Sequence, residues 1–357
     1  MKQLLLLRFS AMGDVALLVP VVQSFTQRYP DAAITLVTRA KFAVFFEQIP
    51  GVRIVGADFD GRHKGLPGLL LLVKELRQIA SFDVIIDAHQ NLRSAVLKRL
   101  FQLTGVPSFT INKGRAEKNA LTRKTDKIRR QLTHSVDRYA QVFKAAGFDL
   151  DPVKPFTFPP IPAAEKELAA FLRNLSVRTD TPWLGIAPFA QHTQKMWPFN
   201  YVAPLLTQLY GQHAINIFLF GGGADEITRL KDLQQQFPQA VLVAGQLSMA
   251  AELSLISRLT GMVCMDSGNM HLAALSGVPV VSIWGSTHPD AGFGPWGQGE
   301  EAFVQISPDV LPCRPCSVFG NKPCFRGDLA CLNWITVDMV ANKVQQLLER
   351  SRSTSAN

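Results

Sequence analysis

Apolar residues fall in two rhythms along this chain. Short, mainly apolar runs, Leu4 to Leu7, Ala33 to Val37, Val52 to Val55 and Asp83 to Ile86, alternate with longer stretches in which apolar positions recur every third or fourth residue. Runs apolar on both faces predict strands buried in a parallel sheet, and the longer stretches predict the helices that cover it. A proline-dense stretch follows, with Pro152, Pro155, Pro159, Pro160 and Pro162. Proline lacks an amide donor and disrupts helix interiors, so this stretch predicts a linker. The alternation then resumes with expected strands at Trp183 to Ala187, Ile215 to Phe220, Ala240 to Val243, Met262 to Met265 and Val278 to Ile283. The pattern predicts an α/β protein of two doubly wound, Rossmann-like domains, residues 1–155 and 156–335. A helix over residues 336–350 and a polar, frayed tail at 351–357 complete it.

Length agrees, because 357 residues exceed what one compact core supports. No apolar stretch approaches the roughly 20 residues of a spanning helix. Met1 to Arg8 is too short for a secretory apolar region, so it reads as a first strand and the expected compartment is the cytoplasm. The five cysteines are then expected to be reduced. The formal charge of +9 is uneven, with eight basic and two acidic residues between Lys113 and Arg130. That run suits an anionic membrane surface or a phosphorylated or carboxylated substrate, or else it is a solvated basic face. Nucleic acid is not expected, since no aromatic-interleaved sheet or recognition helix accompanies the patch.

Ligands of open α/β sheets collect beyond the carboxyl ends of the strands, so the loops there carry the candidate chemistry. After the first strand comes Arg8-Phe9-Ser10-Ala11-Met12-Gly13-Asp14, a strand-to-helix turn ending in a carboxylate. Asp14 is either a reactive acid or a cap for the first helical turn. Its single glycine rules against a dinucleotide fingerprint. Phe189 to Pro198 places Thr193 and Lys195 beyond a strand, donors suited to a diphosphate, although a surface lysine lying over Trp197 is the plain alternative. Gly221-Gly222-Gly223 precedes Asp225 and Glu226, carboxylates able to accept from ribose hydroxyls or simply to cap a helix. Asp266-Ser267-Gly268 opens a helix, a seat for a phosphate anion, and His271 lies one turn in.

Taken together, Asp14, Lys195 before Trp197-Pro198, and Asp266-Ser267-Gly268 with His271 resemble glycosyltransferase family 9, the ADP-heptose:lipopolysaccharide heptosyltransferases. The resemblance covers about residues 3 to 345 and includes Asp87, Arg93 and His134 to Tyr139. It implies a GT-B fold facing a central cleft, with an acceptor-binding first domain, a nucleotide-sugar-binding second domain and a C-terminal helix packing back toward the first. It implies an inverting transfer of heptose from ADP-heptose to an anionic, lipid-linked inner-core acceptor, without a catalytic metal or other cofactor, peripherally at the cytoplasmic face of the inner membrane. Asp14 matches the general base and Lys195 the phosphate-binding lysine. Thr193, Asp225 or Glu226, Asp266, Ser267, Gly268 and His271 match the nucleotide-sugar pocket. The loop before Lys195, Ala190-Gln191-His192-Thr193, departs from the hydroxyl-rich run common in the family. Ser10, Arg62, Lys64 and Arg93 are acceptor candidates on the ground that the acceptor is anionic. A nucleotide-sugar epimerase of the same architecture and a non-catalytic nucleotide-sugar-binding homologue remain the competing readings.

Two further patterns are weighed separately. The triplets Asp58-Phe59-Asp60 and Asp149-Leu150-Asp151 lie outside the expected nucleotide half and are not read as metal sites. Cys313, Cys316, Cys324 and Cys331 are a candidate structural zinc site, with reduced thiols or a redox-sensitive pair as alternatives. Cys264 is read as core.

Overall fold

The computed structural model describes residues 2–153, 156–173 and 175–355. Met1, Pro155 of the proline-dense stretch and the last two residues of the tail lie outside them. The chain divides into two units, Met1–Gly114 with Thr133–Pro159, and Arg115–Leu132 with Pro160–Asn357.

The first unit is a five-stranded parallel sheet, β1 (Lys2–Leu7), β2 (Ala32–Thr38), β3 (Val52–Gly56), β4 (Val84–Asp87) and β5 (Ser108–Thr110), in the order β3-β2-β1-β4-β5. Leu4 to Leu7 are fully buried, as an apolar run in a central strand covered on both faces must be. Winding proceeds outward from β1 in one direction and from β4 in the other, so the topological switch lies between these strands. Register pairs Leu7 with Asp87, and the segments that follow the two strands therefore start side by side.

The second unit repeats the plan with six parallel strands. These are β6 (Trp183–Ala187), β7 (Asn216–Leu219), β8 (Val241–Leu242), β9 (Gly261–Met265), β10 (Val280–Trp284) and β11 (Phe303–Gln305), ordered β11-β10-β9-β6-β7-β8. Its switch falls between β6 and β9, where Ala187 pairs with Cys264.

Three expectations about organisation are corrected. The terminal helix Val337–Ser355 packs its apolar face within the second unit. Val340, Ala341, Val344 and Leu348 belong to the core of the second unit, together with Ile186, Val263 and Ile283. Gly261 permits this approach, because a Cβ there would sit 2.5 Å from Leu347 Cδ2. Secondly, residues 351–355 continue the helix instead of fraying, with Ser351 and Ser353 hydroxyls bonded to the Leu348 and Glu349 carbonyls at 2.8 and 3.1 Å.

Thirdly, the basic run leaves the first unit. Leu121 and Leu132 pack with Ala291, and the Leu132 amide donates to the Asp290 carbonyl at 2.8 Å. Lys127 Nζ donates to the Pro315 carbonyl at 2.7 Å, and Arg129 Nη2 to those of Pro308 and Pro312 at 3.2 and 3.3 Å. These cations hold a loop of the second unit. Burial pushes the Lys127 ammonium below its ordinary range.

Candidate active site

Beyond β1 the short helix Met12–Ala16 carries Asp14 in its first turn. A capping contact from the Ala11 amide to Asp14 Oδ2 exists at 3.4 Å, but Arg8 Nη2 approaches the same oxygen at 2.7 Å. The ion pair is the stronger constraint. Arg8 is itself buried, and its Nη1 donates to the Ala88 carbonyl at 2.8 Å across the β1–β4 switch. Burial opposes the Arg8 charge, yet Asp14 and Tyr139 outweigh it and its pKa is raised. Tyr139 Oη donates to the Asp14 carbonyl at 3.1 Å, and the Asp14 side chain remains 37% exposed. Arg8 thus fixes the carboxylate and Tyr139 the backbone behind it, at the edge where the fold places ligands.

His89, from the adjoining turn, is a poor proton acceptor. Burial, then Arg8 and Lys113, hold its imidazole down at about 3. Asp87 is buried and committed to its own turn, accepting from the His89 and Gln90 amides at 3.0 and 2.7 Å and from the Ser94 hydroxyl at 3.0 Å. The acceptor candidates share the same sheet edge, Ser10 after β1, Arg62 and Lys64 after β3, Arg93 after β4. Arg62 pairs with Glu75, and the Arg93 guanidinium lies 5.2 Å over the Phe59 ring. Asp58 of the first acidic triplet accepts from the Asp60, Gly61 and Arg62 amides, and Asp60 pairs with Arg39 at 2.8 Å.

In the second unit Lys195 follows β6 and Asp266 follows β9, so the switch point brings them together. Lys195 Nζ lies 2.9 Å from Asp266 Oδ2, and the Thr287 hydroxyl donates to that oxygen at 2.8 Å. The Ser286 amide and hydroxyl both donate to the Gln194 carbonyl, at 3.2 and 3.0 Å, tying the turn after β10 to the lysine's own loop. Trp197 is buried, with its indole nitrogen donating to the Ile335 carbonyl at 2.9 Å. The lysine stem instead runs against Gly320, where a Cβ would lie 2.4 Å from Lys195 Cγ.

Ser267 begins the helix Gly268–Leu275 without making the side-chain cap that serine normally supplies there. Its hydroxyl is buried and has no hydrogen-bond partner among the described residues. Ser248, by contrast, caps its helix by accepting from the Ala251 amide at 3.3 Å. A helix start with an unused buried hydroxyl close to a lysine suits an anion by composition and field. His271 is buried one turn further on. Glu226 Oε2 accepts from the Gly222 amide at 2.7 Å and so closes the glycine turn, whereas Asp225 and Thr193 are exposed.

Two residues of this site escape a reading of the sequence. Arg314 is fully buried, and its guanidinium donates to the carbonyls of Gly285, Trp284 and Thr287 at 2.7, 3.1 and 3.2 Å. It therefore fixes the strand end that presents Ser286 and Thr287. Gly320, at φ +73°, is the second. Gly320→Ala is expected to displace the Lys195 stem and to strain the backbone, weakening nucleotide binding by roughly tenfold, which corresponds to ~1.4 kcal/mol. Titration calorimetry with ADP checks this; unchanged affinity contradicts it.

The candidate zinc site finds no support in the geometry. Among the described residues no group of three or more His, Cys, Asp or Glu side chains is arranged to hold a metal ion. All five cysteines are free thiols. Burial pushes the Cys331 thiol up to about 12 and those of Cys313 and Cys316 upward.

Two Rossmann-like units, each an open parallel sheet with a topological switch point, form a GT-B-type fold. The sequence profile of "Glycosyltransferase family 9 (heptosyltransferase)" matches residues 69–318, and the chain belongs to that family. The lipopolysaccharide heptosyltransferase 1 of Pseudomonas aeruginosa is 26% identical over 322 residues, covering 88% of this chain and 86% of the relative. Lipooligosaccharide heptosyltransferase 2 of Haemophilus influenzae is 30% identical over 148 residues, a match to 40% of this chain that spans 42% of the relative's length. Among solved structures, the Escherichia coli heptosyltransferase WaaC with ADP superposes with a TM-score of 0.63 at 20% identity, covering 98% of this chain and 100% of that one.

Proposed function

We propose that this protein transfers a heptose from ADP-heptose to an anionic, lipid-linked inner-core acceptor, inverting the anomeric carbon without a catalytic metal. The observation that carries this reading is the Lys195, Asp266 and Thr287 cluster beside the uncapped start of the helix Gly268–Leu275. In the proposed reaction the acceptor hydroxyl oxygen attacks the anomeric carbon as the bond to the diphosphate oxygen breaks. Asp14 takes the hydroxyl proton, and the diphosphate leaves with the bonding electrons. Lys195, the Ser267 hydroxyl and the first amides of the helix meet the charge growing on the leaving group. Asp266 and Thr287 hold the lysine ready before the diphosphate arrives. Asp225, exposed on the first turn after the glycines, is the carboxylate assigned to the ribose.

Donor class and family support the same site of action. The proposed work lies peripherally at the cytoplasmic face of the inner membrane; among the described residues no helix is long and apolar enough to cross a membrane.

A thermal-shift panel of ADP, UDP, GDP and their sugars tests the donor. A ligand that binds only the folded state raises apparent stability with its concentration relative to Kd. ADP and ADP-heptose are expected to raise Tm at concentrations where UDP and GDP do not. A preference for uridine overturns the donor assignment.

A further inference from the structure

The helix Gly65–Ile79 buries Leu69, Leu72, Val73 and Leu76 against its unit, which is what one face of a surface helix ordinarily supplies. Its opposite face is apolar as well. Leu66 is 59% exposed, Leu70 49% and Leu71 36%, and Pro67 is exposed beside them. At about 100° per residue these four share an arc of about 140° with Lys74 and Arg77, one to two turns further on. That arc contains no carboxylate. The helix's own acid, Glu75, falls outside it and pairs with Arg62 and with His63 Nε2, the latter at 3.1 Å. Single exposed leucines are ordinary on a protein surface, but a contiguous set on one helical face with cations along it is not.

We propose that this face docks on an anionic lipid surface. Leucines at the start of the helix enter the boundary between headgroups and acyl chains, while Lys74, and Lys64 just before the helix, meet the headgroup charge. A second copy of the chain is the poorer occupant, since a twofold contact offers the same acid-free arc from both sides and leaves these cations without an opposite charge. The start of the helix lies at the carboxyl edge of the sheet, the edge that carries Ser10, Arg62 and Arg93. Docking there delivers the acceptor edge to the membrane, an inference that rests on the lipid-linked acceptor proposed above.

The test is co-sedimentation of the full chain with vesicles of phosphatidylglycerol and phosphatidylethanolamine, against vesicles of phosphatidylcholine alone, at low and high salt. Wild type is expected to bind the anionic vesicles, less at high salt, and to leave the zwitterionic ones in solution. The triple variant Leu66→Ser, Leu70→Ser, Leu71→Ser is expected to partition roughly tenfold less. Lys74→Glu, which leaves the leucines in place, should weaken binding several-fold. Transfer to a deacylated acceptor in solution should be unchanged in both variants. Equal vesicle binding by wild type and variants, or no binding by wild type, overturns the proposal, as does a wild-type dimer in sedimentation velocity that the triple variant loses. Vesicle binding that follows the expected pattern while no protein transfers heptose to the soluble acceptor supports the lipid face and counts against the proposed function instead.

Discussion

Replacing Asp14 by asparagine is expected to lower turnover by about 10² to 10⁴, the usual contribution of a positioned proton acceptor. Asparagine keeps the shape of the side chain and can still accept from Arg8 but cannot take a proton from the attacking hydroxyl. The neighbouring groups do not substitute for it. His89 is held neutral at about 3, and Asp87 is buried with its oxygens committed to the turn it closes. Because the change also leaves the buried Arg8 without its counter-charge, some loss of stability accompanies it, of the kind seen when one partner of a buried pair is removed. The two effects separate by measurement. At a temperature well below the variant's melting transition, ADP affinity should stay near that of wild type while kcat falls. Near-normal kcat contradicts the assignment of Asp14 as base.

Lys195→Ala is expected to cost about 10² to 10³ in kcat/KM, comparable to losing a charged or dipolar donor from a site that stabilises a developing anion. Both halves of kcat/KM should suffer, because the ammonium meets the diphosphate in the bound donor and more strongly as it departs. Removing it leaves Asp266 in a buried setting with the Thr287 hydroxyl but without the lysine, and an uncompensated carboxylate beside the phosphate seat opposes the donor's own charge. Lys195→Ala with Asp266→Asn should therefore recover part of the donor affinity lost in the single variant. Steady-state kinetics and ADP titrations of the three proteins check this. Wild-type kcat/KM in Lys195→Ala contradicts the role given to the lysine.

Much of this was legible before any coordinates, for physical reasons that can be named. Leu4 to Leu7 announces a central parallel strand because only such a strand is apolar on both faces. Asp14, Lys195 and Asp266 lie in the segments that follow β1, β6 and β9, where a wound sheet must present its ligands, and the strand order places the second pair at one switch point. β5 and β11, at three residues each, are too short to leave a period in the sequence. By charge alone the basic run from Lys113 to Arg130 suits either an acidic partner or a solvated face. Lys127 and Arg129 instead meet backbone carbonyls, acceptors that carry no mark in a residue string. Arg314 is hidden for the same cause, since its partners are carbonyls of residues far upstream. The role of Gly320 depends on which side chain lies beneath it, and that is a tertiary fact. The cysteine spacing offers a candidate metal site, and no group of three or more His, Cys, Asp or Glu side chains among the described residues takes it up.

The most direct measurement supplies purified protein with ADP-heptose, with and without a deacylated inner-core acceptor, and follows ADP release together with the mass of the acceptor. The predicted result is ADP released in step with an acceptor one heptose heavier, and neither product when acceptor is withheld. Release of free or rearranged sugar without acceptor, or an acceptor of unchanged mass under conditions where the donor binds, would contradict it.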